Sequence, residues 1–330
     1  MMRGFQFVPQ DININFVGMR FVAYVISALI ILSSVFIIST KGLNLGIDFT
    51  GGTVIEIKTP VEPNIEVLRS RLNELGLGAV SIQEFGKSDD LLIRLQDQPK
   101  PDHWDEDTAT EKDDPNAIAI ELVQESLSEE FEGQIIDYRR VEFVGPQVGS
   151  ELKMKGLYAV IFSLLGIMIY IWFRFEWQFG LAALIALAHD AIATIGLFAF
   201  TQMAFDLSTV AAILMIAGYS INDTVVVFDR IRENLRKYKK KPLPKLFNLS
   251  INQTLSRTLM TSLTTLLALT ALYTFGGEVI RGFVYALIFG IMIGTYSSVF
   301  VASPVLLLMN ISRGTEKTDE PKAGEPEVVA

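Results

Sequence analysis

Apolar runs of about 20 residues recur along this chain, each long enough to cross the hydrocarbon of a bilayer as a helix. Six stand out: Met19 to Ile38, Gly156 to Phe173, Phe179 to Phe200, Leu207 to Phe228, Thr258 to Phe275 and Gly282 to Leu308. Between the first two the pattern changes. TVIEIK at 53–58 alternates apolar and polar positions as a strand does, and Ile65, Leu68, Leu72 and Leu75 share one helical face between Pro63 and Gly76. Residues 79–85 and 91–95 read as strands around a turn at 86–90, 117–131 as a second helix and 134–144 as a last strand. The order β-α-β-β-α-β is the ferredoxin-like split pattern.

The fold class that follows is an α-helical polytopic membrane protein, six transmembrane helices with an α+β ferredoxin-like external domain. The expected division is a terminal segment at 1–18, a first span at 19–38, the external domain at 39–152, five more spans within 153–311 with a loop at 229–256, and a disordered tail at 312–330. No A-x-A cleavage site follows the first apolar run, so it is expected to remain as a span. Residues 242–255 mix leucines with Lys245, Asn248 and Asn252, predicting an amphipathic helix along the inner membrane face.

Half of the 330 residues are apolar, and the net charge of -9 conceals an uneven distribution. The loop at 229–256 carries Arg230, Arg232, Arg236, Lys237, Lys239, Lys240, Lys241 and Lys245, whereas 201–206 has no basic residue and 276–281 only Arg281. Basic residues in short loops mark the cytoplasmic side, which places both termini inside and 39–152 outside. The external domain holds about two dozen acids against about ten bases, which excludes nucleic acid as a partner. His103 and Trp104 lie in an acidic, solvated loop at 99–115. No cysteine, metal-ligand spacing or P-loop is present, so no thiolate metal site and no ATP chemistry of that kind is expected.

The chemistry suggested by the sequence lies inside the spans. Asp223 follows Asn222 in the fourth run, about five residues before the charge resumes at Asp229. An acid at membrane depth is costly unless protonated, paired or watered. Arg257 opens the fifth run from the same side, and the two can pair and be parted by a proton; a static bridge or a snorkelling Arg257 is the alternative. Tyr219 lies one turn before Asp223, and Thr258, Thr261, Ser262, Thr264 and Thr265 add hydroxyls that carry protons or simply bond their own helix. His189 and Asp190 sit mid-span in the third run, for proton exchange or for a structural bond to a neighbouring span. Gly290, Gly294 and Ser298, four apart, predict a close helix approach. Asp48 in GIDFTGG is placed to couple the domain to the membrane, with Gly51 and Gly52 giving backbone freedom, or else it caps a turn.

GIDFTGGTVIEI at 46–57, VEFVGPQVG at 141–149, FRFEW at 173–177, ALAHD at 186–190, GYSINDTVVVFDRIREN at 218–234, QTLSRTL at 253–259 and FGG at 275–277 closely resemble the SecF family of bacterial export subunits, within the resistance-nodulation-division superfamily. The resemblance implies a multi-pass inner-membrane subunit that joins SecD and assists export by the proton-motive force after the motor SecA and the SecYEG channel have begun translocation. It implies precursor proteins as cargo, YajC and YidC as further associates, protons as the coupling ion without a cofactor, and no enzymatic activity. By motif it assigns proton coupling to Asp223 and Arg257. A small-molecule or lipid exporter of the same superfamily, or a non-transporting scaffold, remains the alternative.

Overall fold

The structure, a computed structural model, describes residues 13–311 except 79, 86, 100–113, 132–133, 135, 278–279 and 310. In chain order its elements are α1 (Arg20–Lys41), α2 (Ile47–Thr50), β1 (Gly52–Lys58), α3 (Ile65–Glu74), β2 (Ser81–Phe85), β3 (Lys87–Leu95), α4 (Pro115–Glu130), β4 (Asp137–Val144), α5 (Pro146–Arg174), α6 (Trp177–Thr201), α7 (Leu207–Lys237), α8 (Leu243–Phe275), α9 (Arg281–Ser297) and α10 (Ser303–Leu308). A π-helical turn at Ser298–Ala302 joins α9 to α10. The acidic segment 100–113 with His103 and Trp104, the tail from 312 and residues 1–12 lie outside the described residues.

Six helices are long and apolar enough to cross a membrane, α9 with α10 counting as one. They form two classes. α6, α7 and α9 are the inner helices, while α1, α5 and α8 turn most of their apolar surface outward; Phe36, Phe162 and Leu267 are exposed. Helices that meet in lipid gain little from hiding oil from oil, so they close on small residues. A Cβ on Gly290 would lie 2.2 Å from Ile216 Cδ1 of α7, and one on Gly294 3.0 Å from Ser220 of α7. Gly196 of α6 performs the same service against Ser34 of α1.

The external domain is a four-stranded antiparallel sheet of order β2-β3-β1-β4, the ferredoxin-like arrangement. Ile55 pairs with Ile93 on one side and Val141 on the other. Ile55, Ile57, Leu91 and Ile93 pack against Leu68 and Leu72 of α3 and Val123 and Leu127 of α4. Asn64 and Asp114 cap α3 and α4 by accepting backbone N–H bonds. The opposite sheet face, with Val54, Glu56, Leu92 and Arg94, looks toward the ends of the spans.

Two expectations need correction. The turn predicted over 86–90 is shorter, because Lys87–Asp90 already belong to β3. Their polar side chains hide the strand, yet Asp90 pairs with Lys58, and its buried carboxylate lies 3.0 Å from Arg139. Residues 242–255 are not a separate surface helix, and 229–256 is not a loop: α7 runs on to Lys237, and α8 starts at Leu243 and continues into the fifth span. The apolar face of Leu246, Phe247, Ile251 and Leu255 packs with Val227, Phe228, Ile231 and Leu235. Buried Asn234 closes the hairpin by donating to Ser250 Oγ (2.8 Å) and Gln253 Oε1 (2.9 Å). A helical partner satisfies that apolar stripe in place of lipid.

Candidate functional site

Within the bundle a group of buried polar side chains from α6, α7, α8 and α9 lies together. Asp190 of α6 is 1% exposed. Its Oδ2 accepts from Ser220 Oγ of α7 and from Ser297 Oγ of α9, both at 2.7 Å, and its Oδ1 lies 3.0 Å from His189 Nδ1. His189 and Asp190, about 100° apart around their helix, therefore bond to each other, and the carboxylate ties three spans together. His189 Nε2 is buried without a partner among the described residues, and its ring lies beside that of Tyr296. Gly294 helps to make this possible, since a Cβ there would lie 3.0 Å from Ser220 Oγ, the donor to Asp190.

Asp223 sits one turn beyond Ser220 on α7 and is 3% exposed. Its Oδ2 has no hydrogen-bond partner among the described residues. Ser262, Arg257 and Thr261 of α8 are the groups that act on it. Ser262 and Thr261 present their hydroxyls to Asp223, while Ser262 Oγ also meets Thr295 Oγ1 of α9 at 2.7 Å and Thr261 Oγ1 also donates to the Thr258 carbonyl at 2.9 Å. Thr258 Oγ1 is itself buried and without a hydrogen-bond partner among the described residues. Arg257 reaches Asp223 through its charge, but the two form no ion pair, and Arg257 lies on an exposed part of α8. The seam thus holds a carboxyl and a guanidinium that are neighbours without contact.

Ser297 on Asp190 and Thr295 on Ser262 are two residues apart on α9. They link the Asp190 cluster of α6 and α7 to the α8 groups facing Asp223. The π-helical turn follows at once, with Ser303 Oγ donating to the Ser298 carbonyl at 3.0 Å. Such turns interrupt the regular ladder and often mark functional positions. Sequence reading missed Ser220, Ser297 and Thr295. Their signal was a hydroxyl one turn from a known acid, and a small-residue stripe ending in serines.

The remaining expected residues separate. Tyr219 bonds Thr265 (3.3 Å) across α7 and α8. Thr264 and Thr265 bond back to their own helix, which is the structural alternative for these hydroxyls. Asn222, adjacent to Asp223, points out of the bundle and is exposed, as is Gly218 one turn earlier.

Asp48 lies at the other end of α7, where its Oδ2 accepts from the Leu207 N–H at 2.9 Å. Asp206 caps the same helix through Thr209. Nearby, Gly46 N donates to the Phe205 carbonyl (2.8 Å) and Phe205 N to the Asn44 carbonyl (2.8 Å), so the segment leaving α1 pairs with the α6–α7 connection. Gly51 and Gly52 have φ of 72° and 105°, and a Cβ on Gly52 would fall 2.4 Å from the Leu95 carbonyl oxygen. Glycine is required there for close approach of strands. A cavity of about 430 Å³ lies under the sheet, lined by Asp48, Glu56, Arg94, Arg140, Asp206 and Arg281 among others. Burial pushes the Arg94 guanidinium below its usual range against the pull of Asp206, while Glu142 raises that of Arg140 through a hydrogen bond.

Six apolar helices, a ferredoxin-like domain joined to the ends of the spans and buried polar side chains among them define a multi-pass membrane protein. Residues 123–312 match the family described as protein export membrane protein SecD/SecF, C-terminal, and residues 36–59 match the SecD/SecF GG motif. The protein translocase subunit SecF of Rickettsia felis is 45% identical over 95% of this chain and 97% of its own length, and that of Rickettsia bellii 46% over 91% and 95%. The crystal structure of SecDF from Thermus thermophilus, a translocon-associated membrane protein, superposes with a TM-score of 0.79 at 36% identity over 92% of this chain. The chain spans 39% of the length of that SecDF protein. SecDF in the super-membrane-facing form gives a TM-score of 0.63. The chain belongs to the SecD/SecF family of protein export membrane proteins.

Proposed function

We propose that this chain is the SecF-type subunit of a complex with SecD, assists export of precursor proteins across the bacterial inner membrane, and draws on the proton-motive force through Asp223 and Arg257. The observation that carries the coupling is the buried, unpartnered Asp223 Oδ2 beside a guanidinium that does not contact it. A carboxyl so placed is stabilised either by a proton or by a cation drawn inward. Alternation between the two shifts the α7–α8 seam. α7 is a single helix of 31 residues, so a movement at Asp223 reaches Leu207, which Asp48 ties to the external domain. Each proton crossing supplies about 2.3 kcal/mol per 100 mV, enough for a few to bias a domain motion of several kcal/mol.

In this reading the basic side of the bundle is cytoplasmic, the domain faces outward, and SecA and SecYEG act before this subunit. The exposed face of α7 at Gly218 and Asn222, and the outer surfaces of α1, α5 and α8, are the surfaces open to SecD. The test is export into inverted vesicles carrying Asp223→Asn or Arg257→Met together with SecD. Both variants should assemble normally and lose the stimulation by a proton gradient; undiminished stimulation from both would remove the coupling role.

A further inference from the structure

A cavity of about 880 Å³ lies on the basic side, between residues 13–21 and the first turns of α8. It has no part in the buried polar group of the bundle. Its wall is built by side chains: Asn252 accepts from the Ile14 N–H (2.9 Å) and donates to the Ile14 carbonyl (2.8 Å), and Asn248 accepts from the Val17 N–H (3.4 Å). These bonds strap the segment before α1 onto α8 and leave a groove between them.

Among the described residues the lining has three basic side chains, Arg20, Lys241 and Lys245, and no acidic one. Lys241 Nζ lies 5.2 Å from the centre of the Tyr238 ring, and Arg20 lies over the Phe21 ring. Arg20 and Lys245 form no ion pair among the described residues. Arg20 and Lys245, facing one groove, repel one another, and an anion between them relieves that repulsion.

Position supplies the second argument. Immediately after Arg20, α1 becomes apolar and outward-facing, with Phe21 66%, Val22 63% and Val25 60% exposed. The groove therefore opens at the level where the lipid-facing surface begins, and Phe21 and Leu249 belong to its lining. Cations at the rim with apolar side chains below match a phosphodiester carrying acyl chains. Basic pockets between helices on the cytoplasmic side bind anionic headgroups by this chemistry.

We propose that this groove is a binding site for an anionic phospholipid, its phosphodiester held by Arg20 and Lys245 and its acyl chains lying along Phe21. The occupied site pins residues 13–19, α1 and α8 together at the membrane surface.

The experiment is native mass spectrometry of the full chain released from detergent with phosphatidylglycerol or phosphatidylcholine. The wild type should retain phosphatidylglycerol preferentially. Arg20→Gln with Lys245→Gln should weaken that retention by about tenfold or more, given about 1 kcal/mol per basic residue at a membrane surface, while the charge-matched pair Lys237→Gln with Lys240→Gln should not. Equal loss in both pairs, no preference between the two lipids, or displacement of the lipid by millimolar inorganic phosphate would overturn the assignment. A photoactivatable phosphatidylglycerol gives a readout on the wild-type chain, independent of how the variants fold. Labelling at 13–21 and 241–252 supports the site, and labelling only elsewhere refutes it.

Discussion

Ser297 Oγ donates to Asp190 Oδ2 at 2.7 Å, and through that bond α9 is held to α6 with α7 between them. One turn away from Ser220 along α7, Asp223 Oδ2 has no hydrogen-bond partner among the described residues. Two buried acids of one bundle thus stand in opposite conditions. The one with donors to its carboxylate in place holds helices together, and the one whose Oδ2 lacks a partner among the described residues, with Ser262 and Thr261 beside it, is the one able to change state.

That contrast predicts opposite stability effects. Ser297→Ala removes a donor from a buried carboxylate and should cost about 1–3 kcal/mol. Asp223→Asn removes a charge that no hydrogen bond at Oδ2 supports, and should leave stability unchanged or raise it. Thermal unfolding of the two variants in the same detergent compares them. Equal destabilisation would show that both acids are structural.

The α7–α9 contact depends on Gly290. Gly290→Leu drives its side chain into Ile216 and should sharply reduce the yield of folded protein, with partial rescue by Ile216→Ala. Gly218→Ala, with nothing within 4 Å of its Cβ position, should be neutral or add up to about 1 kcal/mol from helix propensity. Size-exclusion profiles of the purified variants distinguish the two positions.

At the domain end of α7, Asp48→Ala removes an acceptor for the Leu207 N–H and should cost about 0.5–2 kcal/mol, the range of a lost helix cap. Asp48→Asn keeps an acceptor and should restore most of that stability. If Asp48 transmits movement, Asp48→Ala also lowers gradient-stimulated export by more than its loss of folded protein accounts for. Export normalised to folded protein is the deciding measurement.

The external domain has its own core, closed by Leu72 and Leu127, both fully buried. Leu72→Ala should cost about 2–5 kcal/mol and make the domain susceptible to protease, while the membrane spans remain intact. Limited proteolysis followed by mass spectrometry of the fragments reads the effect directly. Cleavage spread evenly through α6 and α7 would contradict an independent core.

Six spans and the βαββαβ order were legible because each rests on a local regularity. A bilayer requires about 20 apolar residues per helix, and a half-buried strand alternates with period two. The stop of α3 before Gly76 follows from backbone chemistry that neighbouring residues settle among themselves, whereas α4 begins two residues earlier than expected, at Pro115 behind the cap Asp114. Lys87–Asp90 escaped because β3 begins with polar residues whose partners, Lys58 and Arg139, are remote in sequence. The hairpin of α7 and α8 escaped for a related reason. An amphipathic stripe looks the same whether lipid or another helix covers it, and Asn234 meeting Ser250 is visible only once the two helices are side by side.

The sequence by itself determined that the chain crosses a membrane, that an α+β domain interrupts the spans, and that Asp190, Asp223 and Arg257 lie at membrane depth. Hydropathy and periodicity are properties of short stretches, so they survive without a fold. Only the tertiary structure decided which acid is satisfied, that Asp223 and Arg257 are neighbours without an ion pair, and that Asp48 grips the far end of the Asp223 helix. Those outcomes depend on angles around helices and on which side chains from four separate spans converge, and hydrogen bonds a few ångströms long leave no trace in the order of residues along a single strand of chain.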